Sequence, residues 1–381
     1  MTDNPASAQS LAHGAAGRAL LDIERALQGT GPWATAKATI QKAARTVDAG
    51  SNAGLYYGAP AVAFMLTCAS GDENPRYAEA ARTLDAHVRA VTARKLSDAT
   101  AVTERSDRHA EFADYDLFRG LTGLGALLLI RAPGSDELGD VLSWLVALTR
   151  PRHHNRGELP GWWVDGDPDP LLPTPGGHAN LGMAHGAAGI LALLALATLA
   201  GHTIPGQREA ISCLVGLFDQ WRQDGDDGPW WPQWLTRDDL RAAALTSHAH
   251  PGRPSWCYGA VGIARALQLA AQANNDQTRQ EAAEAALAAN LTDRQIDRLD
   301  RESLCHGLAG VYQTAYRAAQ DARTPAIERR LPALAARFTD LTEQTGSDGL
   351  LTGRAGIALA VETAHHDKPP SSGWDRCLLI T

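Results

Sequence analysis

The chain has 381 residues, room for one large domain or two ordinary ones, and its 44% hydrophobic content is ample for a buried core. Forty-three acidic side chains against 35 basic ones give a net charge of −8, and no run of Lys or Arg is long enough to track a phosphate backbone, which argues against a nucleic-acid binder. Five cysteines in a chain of this length exclude a disulfide scaffold and point to a reducing, cytoplasmic setting in which thiols can bind metal. The N-terminus lacks the charged and apolar regions of a signal peptide, and the longest apolar run, residues 189–200, is too short to span a bilayer.

In chain order, helical periodicity dominates. Leu20, Ile23 and Leu27 share one face of a first amphipathic helix over residues 18–27. Further helices are predicted over 33–47, 60–67, 76–96, 121–130, 138–149, 187–200, 207–223, 261–273, 278–289, 308–320, 327–343 and 355–363. The segment 151–180 departs from this pattern. It is rich in Pro, Gly and Asp, and Gly161-Trp162-Trp163-Val164 reads as a short strand, so an excursion from the main fold is expected there.

A short motif recurs just before the more apolar helices: YYGAPAV at 56–62, FRGLTGL at 118–124, AHGAAGI at 184–190, CYGAVGI at 257–263, CHGLAGV at 305–311 and LTGRAGI at 351–357. All but the first carry Gly-x-x-Gly; there Ala61 stands at the second position. A first glycine is expected to allow unusual backbone angles, and a second one close helix packing. The following helix is apolar nearly all round, as in residues 190–197, and must be buried on all sides, while the next one is amphipathic. Buried helix then surface helix, six or seven times over, describes two concentric rings, an all-α toroid. The alternative is an open superhelical array, in which each helix would keep a polar face.

Aligned on the first glycine, Cys257 and Cys305 occupy the same slot of neighbouring repeats, and His185 and His306 share the next slot. In a closed ring such slots converge at one end of the axis. Two thiolates and an imidazole make a zinc set with one position open for water or substrate. Taken singly, a buried Cys is a small core residue, the reading given to Cys68, Cys213 and Cys377, and a buried His is one satisfied by a carbonyl. Near a metal-bound thiolate, His185 becomes a candidate general acid or base. Arg253 stands four residues before Cys257 in a Pro/Gly loop, where it could meet developing negative charge or simply be solvated. Asp116, four residues before Gly120, is near the same end, with an N-cap as its plainer role. His248 and His250 flank the Arg253 loop and read as surface residues.

The segments 255–259 (SWCYG), 305–307 (CHG), 180–186 (NLGMAHG), 115–117 (YDL) and 374–379 (WDRCLL) resemble the lanthionine synthetase C family, the lanthipeptide cyclases, over most of the chain from Tyr56. The resemblance implies a single α/α toroid over 1–381, zinc held by Cys257, Cys305 and His306, and a reaction site lined by His185, Asp116, Arg253 and Tyr258. It implies Michael-type addition of peptide cysteine thiolates to dehydroalanine or dehydrobutyrine, forming thioether rings. Family members carry a small peptide-binding extension, for which 151–180 is the candidate. The 55 residues before Tyr56 are too few for a fused dehydratase, so the expected partners are a dehydrated precursor peptide, a separate dehydratase and, as a further candidate, a transporter complex that would bring the chain to a membrane surface. Three rivals stand beside this reading: an enzyme of the same family adding glutathione or another thiol to dehydrated residues, a non-catalytic zinc-containing scaffold, and a toroidal glycoside hydrolase, for which Asp165, Asp167 and Asp169 lack a second acid across a cleft.

Overall fold

A computed structural model describes residues 7–70, 77–103, 108–154, 157–167, 173–246, 250–299, 302–340 and 348–381. The helices run in chain order as α1 Ala15–Leu27, α2 Trp33–Ala43, α3 Ala59–Ser70, α4 Ala78–Thr103, α5 Phe112–Tyr115, α6 Leu121–Arg131, α7 Asp136–Leu148, α8 Ala187–Leu199, α9 Gln207–Trp221, α10 Arg237–Ala242, α11 Ala260–Ala273, α12 Gln277–Ala289, α13 Asp293–Ile296, α14 Leu308–Gln320, α15 Leu331–Ala336 and α16 Arg354–His366. The long helix expected over 327–343 is instead α15 flanked by two short 3-10 turns, Glu328–Arg330 and Arg337–Asp340.

The helices that follow the repeated motif pack side by side in a closed circle, α1 to α3, α6, α8, α11, α14, α16 and back to α1, and α2, α4, α7, α9, α12 and α15 lie outside them. The ring is therefore closed, not an open array. Composition explains the inner place of some helices, such as α3, α6 and α8, but α1, α14 and α16 carry charged residues and lie inside as well. In α8, Leu191, Leu193 and Leu194 point in different directions and are all fully buried, each contributing roughly 1.5–3 kcal/mol. In α12 only one stripe, including Ala283 and Leu287, faces inward.

The ring has seven members because α1 carries a copy of the motif that the sequence reading passed over. Ala12-His13-Gly14-Ala15-Ala16-Gly17 repeats residues 184–189 letter for letter. The turns leading into the seven helices are tied sideways by backbone hydrogen bonds that run the full circle. Leu11 N–H donates to Tyr56 O at 3.0 Å, Tyr56 to Phe118 at 3.2 Å, Leu117 to Ala184 at 3.1 Å and Ala184 to Cys257 at 3.1 Å. Cys257 then donates to Cys305 at 3.2 Å, Cys305 to Leu351 at 3.0 Å and Leu351 to Ala12 at 3.2 Å.

This belt corrects the role given to the glycines. The first glycine of six copies has a negative φ, −87° at Gly120 and −146° at Gly186 for example, so no unusual angle is required; only Gly58 is left-handed, at +75°. The constraint is space. A Cβ on the second glycine would strike the carbonyl oxygen six residues earlier, at 1.9 Å for Gly17 on Leu11, 2.0 Å for Gly262 on Trp256 and 1.9 Å for Gly310 on Leu304. The second glycine thus lets the belt segment lie against the first turn of its own helix.

The C-terminal segment plugs the ring. Trp374, Asp375, Cys377, Leu378 and Ile380 are fully buried. Inner-ring side chains hold their backbone: Tyr56 OH donates to Cys377 O at 2.8 Å, Trp256 Nε1 to Leu378 O at 3.0 Å and Arg265 Nε to Ile380 O at 2.9 Å. Arg317 grips Asp375 through two bonds of 2.6 and 2.8 Å.

The excursion is larger than 151–180. The hairpin β1 Arg152–His154 with β2 Gly157–Leu159 lies within it, but β3 His178–Asn180 pairs antiparallel with β6 Trp234–Thr236, in register Asn180 with Trp234. A second hairpin, β4 Gln223–Gly225 with β5 Gly228–Trp230, precedes β6. The expected strand at 161–164 is a turn whose last residue, Val164, bridges to His178, and Trp162 and Trp163 are buried beneath it. No helix among the described residues is long and apolar enough to cross a membrane.

Candidate metal centre and reaction site

The belt sorts side chains by position. Three residues before the first glycine, Leu11, Leu55, Leu117, Met183, Trp256, Leu304 and Leu350 are buried. The residue directly before it is at least partly exposed in every copy: His13, Tyr57, Arg119, His185, Tyr258, His306 and Thr352. One face of the ring therefore presents a rim of polar side chains above an apolar floor.

On that rim Cys257, Cys305 and His306 come together, their ligand atoms all within 4.8 Å of one another, the one such group among the described residues. The belt bond from Cys257 N–H to Cys305 O sets the spacing. A hydrogen bond links the two thiols. The hydrogen bond from Cys305 pulls Cys257 down to about 5 against the opposing push of burial, with His306 and Ser255 pulling the same way. The same contact, with burial, pushes Cys305 up. Ser255 Oγ lies 3.6 Å from Cys257 Sγ.

His185 occupies the equivalent slot two repeats before His306. Its Nδ1 lies 2.7 Å from Asp116 Oδ2, and Asp116 is 2% exposed. Asp116 Oδ1 accepts from Arg119 N at 2.7 Å and Gly120 N at 2.8 Å. The N-cap reading of Asp116 does not hold, because the N-cap of α6 is Gly120; Asp116 instead ties the loop before that helix with one oxygen and has the second left for the histidine. Phe112 and Phe118 flank the His185 ring at centroid distances of 5.1 and 4.8 Å. Tyr258 stacks on it at 6.0 Å, between His185 and the cysteines. Burial, then Cys257, Cys305 and Asp116, push the Tyr258 phenol well up, so it stays protonated.

The other residues singled out in the sequence lie as follows. Arg253 is exposed in the loop before Cys257, its carbonyl pressed against Gly259. Cys68 and Cys377 are buried as expected, but Cys213 is exposed, on the outer face of α9. His250 is exposed; His248 and Asp169 lie outside the described residues. Asp167 caps Thr174 and Asp165 meets His109 at 3.5 Å. Two features escaped the sequence reading. His13 was legible in the repeated hexapeptide. His178 was not: it is fully buried on β3, its ring 5.7 Å from Phe112, which links the excursion to His185.

Fold and rim together define an α/α toroid with a thiolate–imidazole cluster on its open face. The sequence matches the lanthionine synthetase C-like protein family over residues 5–379, and the chain belongs to that family. It is 27% identical over 206 residues to the nisin biosynthesis protein NisC of Lactococcus lactis subsp. lactis. That alignment covers 52% of this chain and 48% of NisC, so the chain matches about half the length of this curated relative. A solved structure of nisin cyclase shares the fold with a TM-score of 0.81 at 18% identity, over 98% of this chain and 93% of that one.

Proposed function

We propose that this chain is a zinc-dependent cyclase that closes thioether rings in a peptide whose Ser and Thr residues have been dehydrated. The observation that carries this reading is the placement of Cys257, Cys305 and His306, with ligand atoms within 4.8 Å of one another, on the rim that also holds the Asp116–His185 pair. The donor set fits the metal: two sulfurs and an imidazole nitrogen suit Zn²⁺, and Cys257, Cys305 and His306 would hold it with room for a substrate sulfur. Bound there, zinc supplies a lowered thiol pKa to a substrate cysteine at neutral pH.

The rest of the chemistry falls to the chain's own side chains. The substrate sulfur adds to the β-carbon of the dehydroamino acid, its double bond opens, and negative charge collects on the neighbouring carbonyl oxygen. His185, held at Nδ1 by Asp116, delivers a proton to the α-carbon from its other nitrogen. Arg253 meets the enolate charge from the loop before Cys257. Tyr258 lines the wall between His185 and the cysteines. The excursion at 151–180, joined by the strand at 234–236, is the peptide-contacting element of a single toroidal domain. The substrate comes from a separate dehydratase in the cytoplasm, with a transporter complex as a further partner at the membrane surface.

Zinc content by elemental analysis, for the wild type and Cys305→Ala, tests the centre. About one zinc per chain, lost in the variant while the helical signal persists, is expected. Ring closure leaves peptide mass unchanged, so it is read as loss of a thiol that alkylation can trap. Trapping of added glutathione in place of ring closure would move the reading to the thiol-adding relative, and a wild type that binds no zinc under reducing conditions would leave a peptide-binding scaffold.

A further inference from the structure

His13 is the rim histidine that the proposed reaction has not used. Its hexapeptide, residues 12–17, is identical to that of His185, residues 184–189. The belt bonds from Cys305 to Leu351 and from Leu351 to Ala12 set Thr352 beside His306 and His13 beside Thr352. His185 and His13 therefore stand two slots from His306 on opposite sides. Both are bound by the protein through the same nitrogen: His185 Nδ1 lies 2.7 Å from Asp116 Oδ2, and His13 Nδ1 lies 3.4 Å from Thr352 Oγ1. Each then has Nε2 as the nitrogen for a substrate. His13 is the more exposed of the two.

The addition moves a proton between two different substrate atoms. A C–S bond forms, the C=C π bond breaks, one proton leaves sulfur and another arrives at the α-carbon. No oxidant or further reactant is needed. One imidazole on each flank matches this demand better than a single group that must reach both atoms. We propose that His13 is a second catalytic histidine, taking the thiol proton at Nε2 while Thr352 holds its Nδ1 and His185 delivers the proton to the α-carbon; exchange with solvent resets both. This rests on the cyclase reading above.

The test uses His13→Asn, which keeps a polar partner for Thr352 and removes Nε2, with Thr352→Val as a milder variant. The substrate is a synthetic peptide carrying one cysteine and one dehydroalanine. Zinc content and melting midpoint should be unchanged. Ring closure should slow by at least about tenfold, within the range of a lost general base, and the acid limb of the kcat/KM pH profile should move or vanish. A second readout needs no turnover: diethyl pyrocarbonate labelling of His13, mapped by mass spectrometry, should be slowed by a peptide with the same cysteine and alanine for dehydroalanine. A variant with the wild-type rate and pH profile, or a bound peptide that shields His185 but not His13, overturns the proposal. If the zinc-loaded wild type closes no ring, the cyclase reading fails instead, and the labelling alone decides whether His13 touches a bound peptide.

Discussion

Asp116 Oδ2 and His185 Nδ1 meet at 2.7 Å across two neighbouring members of the ring, while the other carboxylate oxygen of Asp116 is engaged by the backbone of its own loop. The carboxylate is thereby held by its own loop, and it holds the histidine at Nδ1. Asp116→Asn keeps an oxygen for the loop but sets an amide against the ring nitrogen. Ring closure should fall by about 10²–10⁴-fold with zinc content and fold intact, since a misoriented or wrongly tautomerised imidazole cannot serve as acid. An Asn variant that closes rings at the wild-type rate would show that the pair is only structural.

The C-terminal plug sits directly beneath Cys257, because Trp256 bonds to it. Trp256→Phe leaves the buried Leu378 carbonyl unsatisfied, at a cost of about 1–3 kcal/mol. Zinc should be lost faster to a competing chelator, ahead of any loss of helix. Asp375→Ala strands the Arg317 guanidinium, which is 14% exposed, and should cost about 3–5 kcal/mol in urea unfolding. Equal chelator kinetics in wild type and Trp256→Phe would detach the plug from the metal centre.

Two glycine substitutions should act in opposite directions. Gly310→Ala drives a methyl into the Leu304 carbonyl at 1.9 Å and must displace the belt beside Cys305, so a loss of more than about 1–3 kcal/mol is expected. Gly139 lies in α7 with no atom within 4 Å of where a Cβ would stand, and Gly139→Ala should stabilise the protein by about 0.5–1 kcal/mol. Thermal midpoints of the two variants measure both effects.

His178 makes stability depend on pH. Its Nδ1 donates to Gly166 O at 2.8 Å, its Nε2 is buried without a partner, and burial lowers its pKa below the ordinary value of 6.5. The unfolded chain therefore takes up the proton first as pH falls through about 6.5, and native stability declines from there downward. Urea midpoints at about pH 7.5 and about pH 5.5 should differ less in His178→Phe than in the wild type, even though the variant loses the Gly166 bond. An unchanged difference would place the acid sensitivity elsewhere.

Much of the architecture was legible in the residues. Helices apolar on every side, such as residues 187–199, have no stable place except between other helices, and their alternation with amphipathic ones implies a double ring. The common slot of Cys257 and Cys305 brought them together on paper for the same reason: a repeat that closes on itself places equivalent residues side by side. The seventh copy was also written in the sequence, in residues 12–17.

What the sequence could not supply were contacts between segments that share no period. That β3 would find β6, 54 residues on from Asn180 to Trp234, depends on which loops reach over the rim. The split loyalties of Asp116, the Phe112 link between His178 and His185, and the plug held by Tyr56, Trp256 and Arg265 depend on it equally. Local pattern determined which faces must be buried and which slots repeat, because those follow from helical geometry alone. Only the closed ring decided which polar groups meet across it, because a carboxylate or carbonyl finds its partner by position in space and leaves no periodic trace along the chain.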